Sequence, residues 1–502
     1  MNSFLENLKI SDNFVETENG GLSHKSTLNA VYDLFALGGA YRSREDNDCI
    51  LLFKKAFEQD KELALKCLFY LRDIRGGQGE RRFFRVCFRW LAQNYPEIAK
   101  RNLINIAEYG RYDDLYCVVG TTIENDMFEI IAKQLQLDME SVMKTNEGVS
   151  LLAKWLKSEN ASSKETKELG NKTRIALGLT HKKYRQILSQ LRTRINIVEK
   201  LMSENRWEEI EFDKIPSKAG LIYRNAFAHR DIIAKKYEDF INSKETKVNA
   251  SALYPYDIVD QVVNTLDYWG NKSSLTATKR ETLNKYWSNL KDYFNGKKSN
   301  LIVVADTSGS MTCRYGNNST FPINIAISLA LYTAERLGGP FYNHFISFSS
   351  RPQLIETEGI DFVDKVSRIY KTNLCENTDI GAVFDLLKKI ALMPSTNIED
   401  VPDTIVIISD MEIDEGSYWR RSDIRKTEME CIRREWEEAE LKMPKLVYWN
   451  VNARDNLILD GSDDATFVSG CSPVIFESIL TGKTGWDLCY EKLMSDRYVQ
   501  IK

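Results

Sequence analysis

Hydrophobic residues recur every three or four positions through most of the first 294 residues, which is the spacing of amphipathic helices. Helical patterns run over 163–243 and again over 279–294. Five earlier segments show the same pattern, separated by short breaks: 28–42, 49–59, 61–74, 81–94 and 96–110. We therefore predict an α-helical region of stacked, HEAT-like helix pairs over residues 1–298, without a strict sequence period.

The pattern changes after the polar linker NGKKSN at 295–300. Apolar strands are predicted at 301–305, 341–349, 404–410, 445–451 and 465–470. Amphipathic helices are predicted at 321–338, 378–392, 425–443, 472–480 and 485–494. Apolar strands that alternate with helices predict an α/β doubly wound, mainly parallel sheet over residues 299–502.

Composition places the chain among globular proteins. Hydrophobic residues make up 43% of the 502 positions and charged residues 28%. No apolar run has the length of a membrane span, and the first ten residues lack a signal-peptide pattern. Nine cysteines without C-x-x-C pairs fit free thiols in a reducing compartment. We therefore expect a cytoplasmic protein with no membrane partner.

Charge is distributed unevenly along the chain. Residues 1–300 carry 47 Lys and Arg against 41 Asp and Glu, whereas the whole chain has 68 against 72. The first part therefore has an excess of positive charge and the rest an excess of negative charge. This split favours the first part as the one that meets a polyanion, although drift in surface composition produces the same totals.

Three polar positions follow the first predicted strand in the sequence LIVVADTSGSM. Asp306, Ser308 and Ser310 each supply an oxygen, and Asp410 ends another apolar strand. Thr378 begins a predicted helix between them. Oxygen ligands with few carboxylates suit a hard divalent cation, Mg²⁺ above all. In parallel sheets, ligands bind beyond the carboxyl ends of the strands, where Asp306 and Asp410 both fall.

The D-x-S-x-S spacing also has other interpretations. Asp and Ser favour turns in any protein, so the motif alone is weak. An aspartyl nucleophile of a phosphotransfer enzyme also follows a strand, but such enzymes usually have a second acid where this chain has Ser308. Three such loops in a fixed order favour the metal site.

These loops resemble those of a von Willebrand A domain. The resemblance is carried by VVADTSGSM, NTDIGAVFDLL and VIISDMEID. It implies a metal-ion-dependent adhesion site in which Ser308, Ser310 and Thr378 contact the metal or its coordination shell. Asp306 and Asp410 would act largely through bound waters, and an open position would accept an acidic group. The chain departs from the family in Cys-Glu-Asn before Thr378 and in Met-Glu after Asp410.

The first region resembles the Ro ribonucleoprotein (TROVE) superfamily. YLRDIRGGQGERRFF and YGRYDDLY carry this resemblance, which implies a ring of HEAT-like helices joined to a von Willebrand A domain. Nearly the whole chain is similar to a related domain-of-unknown-function family of plants, bacteria and viruses. That similarity lies in LGLTHKKYRQILSQLRTRINIVEKLMSENRW, IPSKAGLIYRNAFAHRD, SDMEID and MPKLVYWNV followed by VSG.

The glycine-rich GGQGER at 76–81 is not a phosphate-binding P-loop, because it lacks G-K-[ST] and follows a helix. We predict a tight turn between helices there. The arginines around it are expected mostly to pair with neighbouring acids: Arg72, Arg75, Arg81 and Arg82.

A basic segment at 172–200 is the candidate surface for RNA. It carries eight Lys and Arg against one acid, Glu199. The predicted RNA-binding residues are Lys172, Arg174, His181, Lys182, Lys183, Arg185, Arg192 and Arg194. A basic helix face tracks phosphates, and Tyr184 and Trp155 are candidates for base stacking, although such runs are often solvated faces and helical aromatics are often core.

The sequence thus predicts a Ro-like RNA-binding protein with a divalent-metal site and no enzymatic activity. No Ser–His–Asp, Cys–His or paired-carboxylate arrangement stands out, and the chain has only four histidines. The alternative is a protein-interaction scaffold in which the metal captures an acidic side chain of a partner.

Overall fold

The structure is a computed structural model of the 502-residue chain. It describes residues 12–18, 20–144, 148–195, 198–266, 275–314, 320–348, 351–371, 379–413, 427–462 and 464–502.

The first region is built from α-helices, as the hydrophobic spacing predicts. The described helices are α1 Ala30–Leu37, α2 Asp46–Gln59, α3 Lys61–Arg72, α4 Arg81–Asn94, α5 Pro96–Asn102, α6 Ile106–Tyr109, α7 Glu124–Val142, α8 Leu152–Trp155, α9 Lys164–Ala176, α10 His181–Arg194, α11 Val198–Ser203, α12 Ser217–His229, α13 Asp231–Asn242, α14 Pro255–Val263 and α15 Ala277–Ser288. Helices that follow one another in sequence usually pack together, such as α1 on α2 and α12 on α13.

Several of these helices begin where a polar side chain satisfies free backbone N–H groups. The Asn29 side chain accepts hydrogen bonds from the N–H groups of Val31 and Tyr32 at the start of α1. Thr180 caps α10 in the same way. Such caps stabilise a helix by about 1 kcal/mol each, so helix starts are readable from the sequence.

The turn between α3 and α4 contains the glycines of GGQGER. A Cβ at Gly77 would lie 1.9 Å from the carbonyl oxygen of Tyr70, and Gly79 has a φ of +70°. The hydroxyl of Tyr254 donates to the carbonyl of Gln78 at 3.1 Å. The glycines therefore allow a tight turn to pack closely on both sides, which confirms the predicted structural role.

The second region contains a six-stranded sheet. Its strands are β3 Leu301–Asp306, β4 His344–Phe348, β5 Gln353–Glu356, β6 Thr404–Ser409, β7 Lys445–Asn450 and β8 Thr466–Ser469. The strand order is β5-β4-β3-β6-β7-β8, and all neighbours are parallel except β4 and β5. The chain progresses outward in opposite directions from β3 and β6, so a topological switch point lies between these two central strands.

Helices cover the sheet and join its strands. They are α16 Pro322–Arg336, α17 Phe362–Ile369, α18 Ile380–Ala391, α19 Glu428–Glu438, α20 Phe476–Ile479 and α21 Gly485–Leu493. All six residues of β3 are buried, and so is most of α16, which packs against β3, β4 and β6. This double covering explains why the strands read as continuous apolar runs.

Four elements were not predicted from the sequence. A hairpin of β1 Phe14–Glu16 and β2 Leu22–His24 lies in the region expected to be helical. The edge strand β5 and the helix α17 were also missed. These elements are short, and β5 alternates between exposed and buried residues at an edge, where a period is hard to recognise.

The helical region contacts the α/β region near both of its ends. Near its start, the backbones of His24 and Ile458 pair, and α1 packs on β8. Near its end, α14 packs on α16, and Arg280 forms a two-pronged ion pair with Asp361. These contacts fix the position of the helices relative to the strand ends.

Two further observations concern the chain as a whole. Within the described ranges, no helix combines the length and apolarity required to cross a bilayer. The eight cysteines that the structure describes are all free thiols, and most are buried.

Candidate functional site

Two buried aspartates meet at the switch point of the sheet. Asp306 is the last residue of β3, and Asp410 directly follows the neighbouring strand β6. Both side chains are almost completely buried, at 0% and 1% exposure. Because β3 and β6 are parallel, their carboxyl ends lie side by side, and the sequence prediction that these acids converge is confirmed.

The loop after β3 turns two hydroxyls toward each other. The N–H of Ser308 donates to Asp306 Oδ1 at 2.9 Å, which closes a tight turn. Thr307 fastens this turn to the end of β4 through two hydrogen bonds to the carbonyl of Phe348. The Oγ atoms of Ser308 and Ser310 lie 3.1 Å apart, with Ser308 buried and Ser310 partly exposed.

Hydroxyl groups also connect the two strand ends. The Ser409 hydroxyl donates to Asp306 Oδ2 at 2.5 Å, and its Oγ accepts from the N–H of Met411 at 2.9 Å. Ser310 forms a side-chain hydrogen bond with Asp410. Two carboxylates and three hydroxyls from two loops therefore form one continuous polar group.

Burial makes this group costly to ionise. Desolvation is the largest cause that raises the pKa of Asp306, and the nearby charge of Asp410 raises it further. Desolvation also raises the pKa of Asp410, although the guanidinium of Arg454 opposes the effect. Two ionised acids so close together repel each other, so a bound cation would stabilise them.

Several neighbours of this group were missed from the sequence. Glu412 donates its backbone N–H to Asp410 Oδ1 at 3.2 Å, and burial raises the pKa of its own side chain to about 7. Arg454 Nη2 donates to Asp410 Oδ2 at 3.2 Å and also pairs with Glu18. Ser409 lies within the predicted strand 404–410. Nothing in the sequence around Arg454 or Glu18 indicates that they belong to this site.

The residue after Asp410 adopts an unusual backbone conformation. Met411 has a φ of +68°, in the left-handed region that favours glycine. A non-glycine residue there costs on the order of 1 kcal/mol, and such strain clusters at functional sites. The Met-Glu sequence, which differs from the von Willebrand A pattern, therefore falls at the position where glycine would adopt the turn without strain.

Thr378, the fifth predicted metal ligand, lies outside the described residues. The following residue, Asp379, caps α18 by accepting from the N–H of Ala382 at 2.9 Å. The carboxylate of Asp379 therefore has a structural role at this helix start.

The donor set fits a hard divalent cation. In an octahedral shell with ligands at about 2.1 Å, adjacent oxygens are roughly 3.0 Å apart, close to the spacing between the Ser308 and Ser310 hydroxyls. In the described ranges, no cluster of three or more His, Cys, Asp or Glu side chains has the arrangement of a metal site. Serine hydroxyls are essential to this candidate, so it differs from a site made of carboxylates alone.

The basic segment divides into paired and exposed residues. Lys172 pairs with Glu124 at 3.3 Å, and Arg174 and His181 both pair with Glu159. Three others are exposed and, in the part of the chain that the structure describes, form no ion pair: Lys182, Lys183 and Arg185. Arg194 is exposed and interacts with a neighbouring group.

Arg192 and Tyr184 contribute to the interior of the helical region, whereas Trp155 is half-buried beneath Arg111. Arg192 donates to the carbonyls of Ala153 and Leu156 at 2.9 and 3.0 Å. Tyr184 is fully buried, and the guanidinium of Arg111 lies 3.8 Å from the ring centre of Trp155. Base stacking by Tyr184 is therefore wrong in this conformation, because its ring is part of the core.

The arginine-rich motifs of the first region form a buried ion-pair network. Arg72 donates to Asp114 Oδ2 through two nitrogens at 2.8 and 2.6 Å, and Arg85 donates to Asp114 Oδ1. Asp113 binds Arg85 and Arg111. The YGRYDDLY motif thus joins α3, α4 and the following turn, which confirms structural pairing for Arg72.

The two regions match two protein-family models. Residues 17–147 and 149–297 match the family described as "Domain of unknown function (DUF2828)". Residues 300–496 match "Domain of unknown function (DUF7788)".

An uncharacterized protein of Acanthamoeba polyphaga mimivirus is 27% identical to the chain over 507 residues, covering 93% of this chain and 84% of the viral protein. The crystal structure of the Deinococcus radiodurans Ro (RSR) protein aligns with a TM-score of 0.42 and 12% identity, covering 91% of this chain and 100% of that chain. Since the DUF2828 model spans more than half of the sequence, this protein belongs to the DUF2828 family.

Proposed function

We propose that this protein is a non-enzymatic RNA-binding protein whose α/β region, a von Willebrand A-like domain, holds Mg²⁺ or another hard divalent cation. The observation that carries the proposal is the convergence of Asp306, Asp410 and the Ser308–Ser310 hydroxyl pair at one switch point. The RNA would bind to the exposed cations of α10.

The metal would be held by Ser308 and Ser310, with Asp306 and Asp410 acting through waters. The resemblance adds Thr378 to this set. When bound, the cation would offer a coordination position to an anionic oxygen. The buried carboxylates support this assignment, because their mutual repulsion leaves a site that a divalent cation compensates.

The RNA assignment is supported by the exposed end of α10. Lys182, Lys183 and Arg185 lie within one turn of the helix and are exposed. Cations that are not neutralised by carboxylates attract phosphates and release counterions when they bind. The neighbouring Lys172, Arg174 and His181 are paired with glutamates. They therefore attract a polyanion less strongly.

Among the described residues, the histidines contact groups that do not belong to the switch-point site. His24 contacts Glu430, and His181 contacts Glu159. His229 and His344 each interact with a nearby backbone carbonyl. A site without a positioned histidine would have to supply its general base in another way.

Two measurements on the full chain test the proposal. Calorimetric titration with Mg²⁺ is expected to give saturable binding that chelator reverses. RNA affinity, measured at several salt concentrations with RNA that copurifies with the protein, is expected to fall steeply as salt rises. Absent Mg²⁺ binding would overturn the metal assignment, and a flat salt response would overturn the RNA assignment.

A second candidate function is a scaffold in which the metal captures an acidic side chain of a partner protein. The exposed Gly309 and the partly exposed Ser310 favour this candidate, because they leave one side of the site open. Asp306→Ala should then abolish metal-dependent capture in pull-downs, while RNA affinity stays unchanged. Capture that persists in chelator would reject the scaffold.

A further inference from the structure

A cavity lies beside β8, at the edge of the sheet opposite to β5. It has a volume of about 710 Å³ and is enclosed by the hairpin strand β2, the start of α1, the loop after β7 and the start of α21. None of the four candidate metal ligands that the structure describes lines it. We call it the acidic pocket, defined by His24, Tyr32, Glu430, Asp464, Trp486 and Asp487.

Aromatic rings form one wall of the acidic pocket. The ring of Tyr32 lies 6.2 Å from that of Phe467 and 6.4 Å from that of Trp486. Trp486 is partly exposed, so one part of its ring faces the cavity. Aromatic faces carry partial negative charge and attract cations.

Four carboxylates line the cavity. Two of the four lining acids are already engaged, since Glu430 binds His24 and Asp460 binds Arg433 at 2.6 Å. Asp464 and Asp487 are exposed and form no salt bridge within the described ranges. His24 is the sole basic side chain among the described residues that line the cavity. The pocket therefore presents two exposed negative charges, of which that of Asp464 also attracts Arg433 at longer range.

His24 supplies an unusual buried acceptor. Its ring is 6% exposed, and Nε2 lies 2.9 Å from Glu430 Oε1. Its Nδ1 is buried and has no hydrogen-bond partner among the described residues. In the neutral ring, the bond to the Glu430 carboxylate places the proton on Nε2, which leaves Nδ1 as an acceptor. A ligand N–H group would satisfy it once a movement of the ring or of its cover opens Nδ1, which is buried in this conformation.

We infer that the acidic pocket binds an organic cation that carries N–H donors, an amine or a guanidinium. Three features of the lining accept hydrogen bonds or attract positive charge: the carboxylates of Asp464 and Asp487, the buried Nδ1 and the face of Trp486. The ligand is either a free amine or the side chain of a lysine or arginine in another protein. Both share this chemistry.

The test uses the full chain and two free probes, spermidine and agmatine, with arginine- and lysine-containing peptides as a second arm. Calorimetry is expected to give saturable binding. The tryptophan fluorescence should change on titration in the wild type but not in Trp486→Phe. Binding of the free probes identifies a small amine as the source, and binding of peptides alone identifies a protein side chain.

Variants locate the site. Asp464→Asn and Asp487→Asn should each weaken binding by about fivefold, as expected for partly exposed ion pairs. Asp400→Asn removes a similarly exposed carboxylate outside the pocket and should leave affinity unchanged. Circular dichroism and melting curves verify that each variant is folded.

Two results would overturn the inference. One is the absence of saturable binding by any probe, or unchanged affinity in the folded Asp464→Asn/Asp487→Asn double variant. The other is equal binding of tetramethylammonium, which has no N–H group and cannot donate to His24 Nδ1.

Discussion

The switch-point site and the basic end of α10 differ in whether their charged side chains are buried or exposed. Asp306 and Asp410 are buried, repel each other and are held by hydroxyls from separate loops. Lys182, Lys183 and Arg185 are exposed and follow one another on a single helix. Buried charges of this kind are expensive without a compensating partner, whereas exposed charges cost little.

This difference shows what each surface requires of a ligand. Under the proposed function, a small cation at the switch point would enter a prearranged set of oxygens, so its affinity would depend on a few atoms. On α10, the phosphates of the proposed RNA would meet flexible side chains in water, so its affinity would depend on total charge and on salt. A single substitution at the switch point should therefore change the affinity for its ligand strongly. On α10, each substitution should change the affinity by a smaller amount.

The largest effect is expected for Asp306→Asn. Removal of this charge should weaken Mg²⁺ binding by about 100-fold, comparable to the loss of an interaction close to the metal. Calorimetric titration measures the change. Asp400→Asn is the control, because Asp400 is an exposed carboxylate that lies outside the site. Equal affinity in Asp306→Asn and wild type would reject the metal site.

A smaller effect, on the free energy of unfolding, is expected for Arg192→Met. This variant tests whether the basic segment contains both structural and exposed cations. The variant loses two hydrogen bonds to the carbonyls of Ala153 and Leu156, so the free energy of unfolding should fall by about 2 kcal/mol. Arg185→Met should change it by less than about 0.5 kcal/mol, because Arg185 is exposed. Urea denaturation compares the two, and equal losses would contradict this division.

The exposed cations themselves are tested by replacing Lys182, Lys183 and Arg185 together with Glu. RNA affinity at low salt should fall at least about tenfold, and the slope of log affinity against log salt should decrease by about 2, since each lost contact to single-stranded RNA contributes about 0.7. The control changes three exposed lysines on other helices to Glu: Lys54, Lys55 and Lys133. If the control loses as much affinity, binding is nonspecific.

The smallest effect concerns pH. Burial and the neighbouring charge raise the pKa of Asp306 above its usual value of 3.8, so the folded state binds this proton more tightly than the unfolded state. Without divalent cations, stability should therefore increase as pH falls from 8 through the raised pKa toward that usual value. Asp306→Asn should reduce this gain, and saturating Mg²⁺ should also reduce it. Identical pH profiles of melting temperature in wild type and variant would contradict the argument.

The sequence predicted much of the fold because its signals are local. Five strands and the long helices follow from hydrophobic spacing. The hairpin β1–β2 was missed, because its two strands have three residues each and are stabilised by contacts such as the pairing of His24 with Ile458. Such contacts lie far apart in sequence and leave no local pattern.

The residues of the candidate sites also divide into those that the sequence indicated and those that only the structure revealed. Asp306, Ser308, Ser310 and Asp410 were found because each follows a recognisable strand. Glu18 and Arg454 reach the same group from distant positions, so only the folded chain reveals them. Within the basic segment, the sequence showed eight cations but not which of them were paired with acids.

By itself, the sequence determined the element types, the break near residue 300 and the order of the polar loops, since these depend on spacing along the chain. The tertiary structure alone decided which charges meet, which are neutralised and which remain available. The reason is physical: periodicity is a property of neighbouring residues, whereas burial and charge pairing depend on which distant segments come within a few ångströms.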